Sequence, residues 1–470
     1  MRTFLSLLAA AVLAATIGWG VATLGFFSTS HPAGFRVWTL VCWALFVLAF
    51  VLLRRVPARS VAAVVLVGSA LVGGAAIVGP PNTSTDSARY AWDGIVQNAG
   101  ISPYAHRPND PALRDLRPDW LFPATSTDAA GEEVCRGTRV MTTTDLGTSD
   151  TLCTTINRPG VFTIYPAAAE LYFAAVRAVV PVGATYWPFQ AVGLLVSLGT
   201  TVALLLALRR RGLDPRWAAL WGWCPLVASE AITNSHIDLI GAALALAATL
   251  LVASGRRLTG GIALGAAIAT KLIPVLAAPA LLREKPWRVV VASVVTFVAL
   301  YVPFVVTTGV QVLGYLPGYL SEEGYSSGNR FALVSLVAPG RAAAPVAVLL
   351  LLVIGVVVWR TTDPAAPWLG QLVMIGSALL ILSPRYPWYA LLLVPFIAFT
   401  GRVEWLALVL AMSTRQFWIA DSLRPFTLGA ALAIIVVASI LRSGPGWWGR
   451  IRGRATEEWH LVTRRGALRR

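Results

Sequence analysis

The chain has 470 residues, of which 57% are hydrophobic and only 13% charged, with a mean hydropathy of +0.70. A soluble protein carries about 25% charged residues, so this composition excludes a soluble globular protein. In a soluble chain the formal net charge of +16 would suggest nucleic acid. In a membrane protein it reflects cytoplasmic arginines and anionic lipids, and no nucleic-acid partner is expected.

Apolar runs recur at about 4–27, 36–53, 60–79, 186–208, 217–234, 239–254, 289–309, 342–360, 367–383, 387–400, 404–420 and 426–441. A helix of about 20 apolar residues crosses a hydrocarbon core of roughly 30 Å. The expectation is an all-α polytopic membrane protein with about 12 transmembrane helices. The first run exceeds the apolar core of a cleaved secretory signal and reads as a retained span. The stretch 258–282 is interrupted near Lys271 and Pro274 and has cations at both ends. It reads as a broken or re-entrant pair of half-helices, with a single span as the alternative. Arg is almost the sole cation; Lys271 and Lys285 are the only lysines. With the excess of Ala and Val, this suggests a high-GC bacterial genome, hence a multi-pass protein of a bacterial plasma membrane.

Cations set the orientation. With the N-terminus inside, Arg54-Arg55, Arg209-Arg210-Arg211, Arg256-Arg257, Arg360, Arg402 and the tail all fall in the cytoplasm. The loop 80–160, residues 234–238, the loop 310–330 and residues 383–387 then fall outside, which puts every polar motif on one face. Four segments result: three spans over 1–79, an extracytoplasmic catalytic loop with juxtamembrane helices over 80–185, a bundle over 186–441 and a basic cytoplasmic tail over 442–470. The outer loop is too long for a connector. Asn109 or Asp110 can cap a short helix starting at Pro111, and 161–182 reads as a helix lying at the outer interface. Cys135 and Cys153 share this loop, where an outside location would permit a bridge. Trp447 and Trp448 beside arginines read as an interfacial anchor.

The stretch 84–106 carries the strongest chemical signal. Asp86 and Asp93 are seven residues apart, two helical turns, so a helix puts both on one face roughly 10 Å apart. Arg89 and Tyr90 share that stripe, Trp92 adjoins it, and Gly100 and Pro103 end it. A membrane protein that gathers such groups at the bilayer surface is building a site. His236 and Asp238 end a span that also holds Glu230; the alternative is a plain helix-end turn. Nothing supplies further ligands at recognisable spacing, so no tightly held zinc is expected; no cofactor is expected, and a divalent metal requirement stays open. Arg330, Arg385, Arg415 and Lys271 are cations near or within spans. An intramembrane Arg costs about 2.5–3.5 kcal/mol and needs a partner; phosphate suits a guanidinium, and an ion pair of Arg415 with Asp421 is the alternative. No nucleotide-binding motif occurs, and an outward site has no access to nucleotide sugars.

The motifs DSARYAWDGIVQNAGISPYAHRPNDPAL, TIYP, SHID, ATKLIP and RYPWY occur in that order. Over roughly residues 80–400 they resemble the prenyl-phosphomannose-dependent mannosyltransferases of the GT-C superfold, actinobacterial envelope enzymes that include those building lipomannan and lipoarabinomannan. The chain departs from that pattern at Ser87-Ala88, and at Ala167, where relatives have a second Pro after Pro166. The resemblance implies a GT-C-like bundle and a glycosyltransferase that uses a polyprenyl-phosphate-linked sugar, with mannose favoured and arabinofuranose the alternative. It implies a lipid-linked or polysaccharide acceptor, inversion, and an Asp general base, Asp86 first and Asp93 second. Arg89, Tyr90, Trp92, Tyr165, His236, Asp238, Lys271, Arg330, Arg385, Tyr386, Trp388 and Arg415 are then the expected substrate-binding residues. A transporter or lipid flippase is the rival class, but it should show inverted repeats, and none is evident.

Overall fold

A computed structural model describes residues 1–27, 32–415 and 421–443. Three long apolar helices open the chain: α1 (Arg2–Thr23), α2 (Pro32–Leu53) and α3 (Val61–Ala75), with α1 packed on the other two. Then come the amphipathic α4 (Asp86–Asn98), an outer cap, and α5 (Ala167–Ala178), which packs along α4. The bundle continues through α6 (Trp187–Arg210), the single turn α7 (Ala219–Gly222), a π-helical turn (Val227–Thr233) and α8 (Asp238–Ala253). Next are α9 (Arg257–Thr270), the turn α10 (Ala278–Leu281), α11 (Pro286–Thr308) and a short external α12 (Leu316–Glu322). It closes with α13 (Ala343–Thr361), α14 (Trp368–Leu382), α15 (Val394–Thr400), α16 (Leu406–Arg415) and α17 (Arg424–Ser443).

Seven of the described helices are long and apolar enough to cross a membrane, or eight if the π-helical turn and α8 form one span bent by 110°. The count of about 12 expected from hydropathy is not confirmed by these helices. The runs at 367–383, 387–400 and 404–420 do form apolar helices, but of 10–17 residues. At 1.5 Å per residue these are at most about 25 Å long. The run 217–234 is divided at Pro225 into α7 and the π-helical turn. Hydropathy sums apolar side chains and is blind to where proline and irregular backbone interrupt the helix. The stretch 258–282 is broken where expected. Lys271 is extended (φ −154°, ψ 137°) between α9 and a 3-10 turn (Ile273–Ala277) that begins at Pro274.

The main core joins α1–α3 to α6–α8 and α14–α16. The outer cap has its own smaller core around Leu113, Leu121, Phe122 and Ile156, against Trp92 and Ile95 of α4. A 3-10 helix (Pro111–Leu116) starts on Asp110, whose carboxylate accepts from the Ala112 amide at 2.9 Å. Two antiparallel ladders follow, β1 (Ser126–Thr127) with β2 (Glu133–Val134) and β3 (Met141–Thr144) with β4 (Thr151–Thr154). A Cys135–Cys153 disulfide fastens β4 to the chain beside β2. Arg117 reaches Asp145 at 2.6 Å and holds its carboxyl down at about 2, the hydrogen bond outweighing burial. The proposed anchor at Trp447 and Trp448 and the rest of the tail lie outside the described residues.

Candidate active site

The loop before α4 is pinned from below. The Asn234 side-chain oxygen accepts the backbone amides of Asn82 and Thr83, both at 2.9 Å, and its nitrogen donates to Ser229 O at 3.0 Å. Asp86 is then the first residue of α4, and its amide donates to Ser84 Oγ at 3.1 Å. A helix N-terminus stabilises a carboxylate, and this one opens into a cavity of about 780 Å³. Asp86 Oδ1 accepts from Asn157 Nδ2 at 2.5 Å, and Oδ2 lies 3.6 Å from His236 Nδ1.

His236 is delivered by the irregular backbone that follows the π-helical turn. Ser235 takes a positive φ of 56°, and the His236 amide donates to Glu230 O at 2.9 Å. Such π segments are frequent at functional sites. The imidazole is fully buried, with Glu230 Oε2 3.2 Å from Nε2 on the side away from Asp86. Its face stacks on Trp388 at 3.7 Å, and Trp388 stacks on Tyr386 at 4.4 Å. The His-x-Asp pair therefore splits. His236 turns to Asp86 and Glu230, while Asp238 binds Lys271 Nζ at 2.9 Å. The break at Lys271 frees its side chain to lie between the rings of Tyr165 and Tyr389, at 5.9 and 5.3 Å.

Among the described residues, five cations line the cavity against one carboxylate, Asp86. Four of the five have carboxylate partners: Arg89 with Asp93, Arg158 with Glu322, Lys271 with Asp238 and Arg330 with Glu323. Arg385 has none, and its Nε is buried without a hydrogen-bond partner. The remaining wall is largely apolar, including Leu272, Ile273 and Leu276 on one side and Leu316 and Leu320 on the other. Arg415 ends α16, but its side chain is outside the described residues, as is that of its suggested partner Asp421.

Asp93 does not line the cavity. Two turns along α4 it lies beneath, 2.8 Å from Arg89 Nε and almost wholly buried. Glu170 of α5 joins it, accepting from Thr163 Oγ1 at 2.7 Å and Gln97 Nε2 at 2.9 Å. Burial raises the Asp93 carboxyl despite Arg89. Burial, then the Asp93 charge, pushes Glu170 well above the usual carboxylate range. Tyr90 is buried against Phe173 and Tyr165, and Trp92 packs on Phe122 in the cap. Tyr165, Arg89, Arg330, Tyr386 and Trp388 face the cavity. Sequence reading missed Asn157, Arg158 and Tyr319. Each is brought in by the fold of the cap or of α12, and only the polar NRPG at 157–160 hinted at the first two.

A bundle of apolar helices that encloses one carboxylate, several cations and aromatic rings among its described residues has the makings of a site within a membrane protein. Residues 162–384, just under half the chain, match the family model described as Glycosyltransferase family 87. The match supports a glycosyltransferase of the GT-C type. It includes Tyr165, His236, Asp238, Lys271 and Arg330, and leaves out α4 and Arg385. No curated protein and no solved structure matches the chain.

Proposed function

We propose that the protein transfers a sugar, mannose in the first instance, from a polyprenyl-phosphate donor to an envelope glycan or glycolipid on the extracytoplasmic face of the plasma membrane. The observation that carries this reading is the presence, in one apolar-walled cavity, of Asp86 as the one carboxylate and Arg385 as the one cation without a carboxylate partner among the described residues. Asp86 takes the proton of the acceptor hydroxyl as that oxygen attacks the anomeric carbon. The bond from that carbon to the phosphate oxygen breaks on the opposite face, so configuration inverts. Arg385 and Lys271 hold the charge that develops on the departing polyprenyl phosphate. His236, backed by Glu230, lies beside the free oxygen of the Asp86 carboxylate. Asp93, locked to Arg89 below the cavity, holds that arginine in place and is not the base. Arg89, Tyr165, Tyr386 and Trp388 contact the sugar, and the apolar wall takes the first prenyl units.

The test is incubation of the purified protein in detergent with radiolabelled polyprenyl-phosphomannose and a short mannoside acceptor. Label should pass to the mannoside with inverted configuration. Turnover of GDP-mannose by the pure protein would overturn the lipid-donor reading, and transfer only from the arabinofuranosyl lipid would change the sugar.

A further inference from the structure

One cap residue touches the proposed base. Asn157 is 71 residues from Asp86 in sequence, yet its Nδ2 donates to Asp86 Oδ1 at 2.5 Å within the cavity wall. The other oxygen, Oδ2, is 3.6 Å from His236 Nδ1, beyond a hydrogen bond. One carboxylate oxygen is therefore committed to an amide, and the other is left to receive a proton. An amide N–H can only donate, so it favours the ionised carboxylate, the form a base must have.

Asn157 is held from both sides. Upstream, the Thr154 hydroxyl and the Thr155 amide both donate to Leu121 O at 2.9 Å, and Ile156 is fully buried in the cap core. Cys153, four residues before Asn157, is tied to Cys135. Downstream, Arg158 takes a positive φ of 49°, and its guanidinium forks onto Glu322 of α12 at 2.9 and 3.1 Å. An asparagine between a disulfide-bonded ladder and a bidentate ion pair has little freedom to turn away.

We infer that Asn157 is a positioning residue for the Asp86 carboxylate, and that the disulfide-bonded cap is its mount. This rests on Asp86 being the base. The charged and titratable groups facing Asp86 are His236 after the π-helical turn, Lys271 from the break after α9, Arg89 and Tyr90 of α4, and Tyr165. None of them is altered in the variants below, so a shift reports the lost amide. The cap thus orients the reacting group rather than merely covering the cavity.

The experiment compares Asn157→Leu, Asn157→Asp and the double variant Cys135→Ser/Cys153→Ser with wild type. It follows transfer from polyprenyl-phosphomannose across pH, with thermal melting in detergent as the fold control. Asn157→Leu should lower kcat about tenfold, the loss expected for one hydrogen bond to a charged group. The donor KM should stay within about twofold, because the amide contacts neither donor nor phosphate in this reading. The acid limb of the rate profile should rise by about one pH unit. Asn157→Asp should raise it further, because a second carboxylate then faces Asp86, and should regain activity toward alkaline pH no better than Asn157→Leu. The double cysteine variant should show the same kcat loss in weaker form. Unchanged kcat and an unmoved acid limb in Asn157→Leu would overturn the inference. If Asn157→Leu melts early, an unmoved limb in Asn157→Asp does so. Asp86→Asn separates the two levels. If it is inactive while Asn157→Leu behaves as wild type, only the positioning role fails; if it keeps more than about a tenth of wild-type turnover, the base assignment itself fails.

Discussion

At the scale of single residues the site is a set of charges with uneven partnering. Asp86 is the only carboxylate among the described residues that faces the cavity. Asp86→Asn should therefore abolish transfer with the fold intact, by the 10²–10⁴-fold typical of losing a general base. Among the described residues Arg385 has no carboxylate partner, and its buried Nε has no hydrogen-bond partner, which suits it to an anion. Arg385→Leu should weaken donor binding about ten- to a hundred-fold and leave acceptor binding within about twofold. Separate donor and acceptor titrations measure this, and an unchanged donor affinity would remove Arg385 from the phosphate site. Glu170 makes a different prediction. Its folded-state carboxyl is raised, by burial first and Asp93 second. Above the ordinary value of 4.5 the unfolded chain loses this proton while the folded protein keeps it, so stability present below that pH drains away as pH rises. Wild type should melt at progressively lower temperature as pH rises above that value. Glu170→Gln mimics the neutral acid and should flatten that slope, and an unchanged slope would show that Glu170 is ionised in the fold.

Elements explain how those residues meet. Asp93-Gly94 reads as easily as a turn as it does as a helix, yet it is mid-helix in α4. A Cβ at Gly94 would lie 2.5 Å from Phe173 O and 2.8 Å from Phe173 C, both backbone atoms of α5. That glycine lets α4 and α5 touch, and it brings Glu170 under Arg89. Gly94→Val should push the helices apart, lowering stability by about 1–3 kcal/mol and reducing transfer through displacement of Tyr165 and Arg89. Normal melting and turnover would show that the two helices can separate at no cost. The π-helical turn plays a parallel part. Seven residues wound one step wider bring Glu230 back under His236, which regular helical spacing followed by a turn would not do.

At the scale of the whole molecule, the cap is a single loop region with its own small core. In the proposed orientation residues 80–160 are extracytoplasmic, the location compatible with a persistent disulfide. Cys42 is buried in α2 and Cys224 in the break after α7, and Cys153 is buried as well. After mild reduction, a membrane-impermeant thiol reagent should label Cys135 in intact cells. Labelling that required permeabilisation would invert the topology, and the lipid-linked donor would lose its basis.

The membrane class, the helical content and the break near Lys271 were legible in the linear chain. All of these are local: hydropathy, proline and glycine act within a turn or two of where they stand. The same reading counted more spans than the described helices that are long enough to cross, because apolar length survives a kink that shortens the helix. It kept Asp93 as second candidate after Asp86, because a seven-residue spacing fixes a common face but not the depth at which the cavity ends. It joined His236 to Asp238, which the fold separates. It passed over Asn157 and Arg158. Those assignments depend on contacts between residues 71 to 164 positions apart, and on the burial that leaves Asp93 locked to Arg89 and Arg385 without a carboxylate. Burial and long-range pairing are properties of packed elements, so no window along the chain contains them.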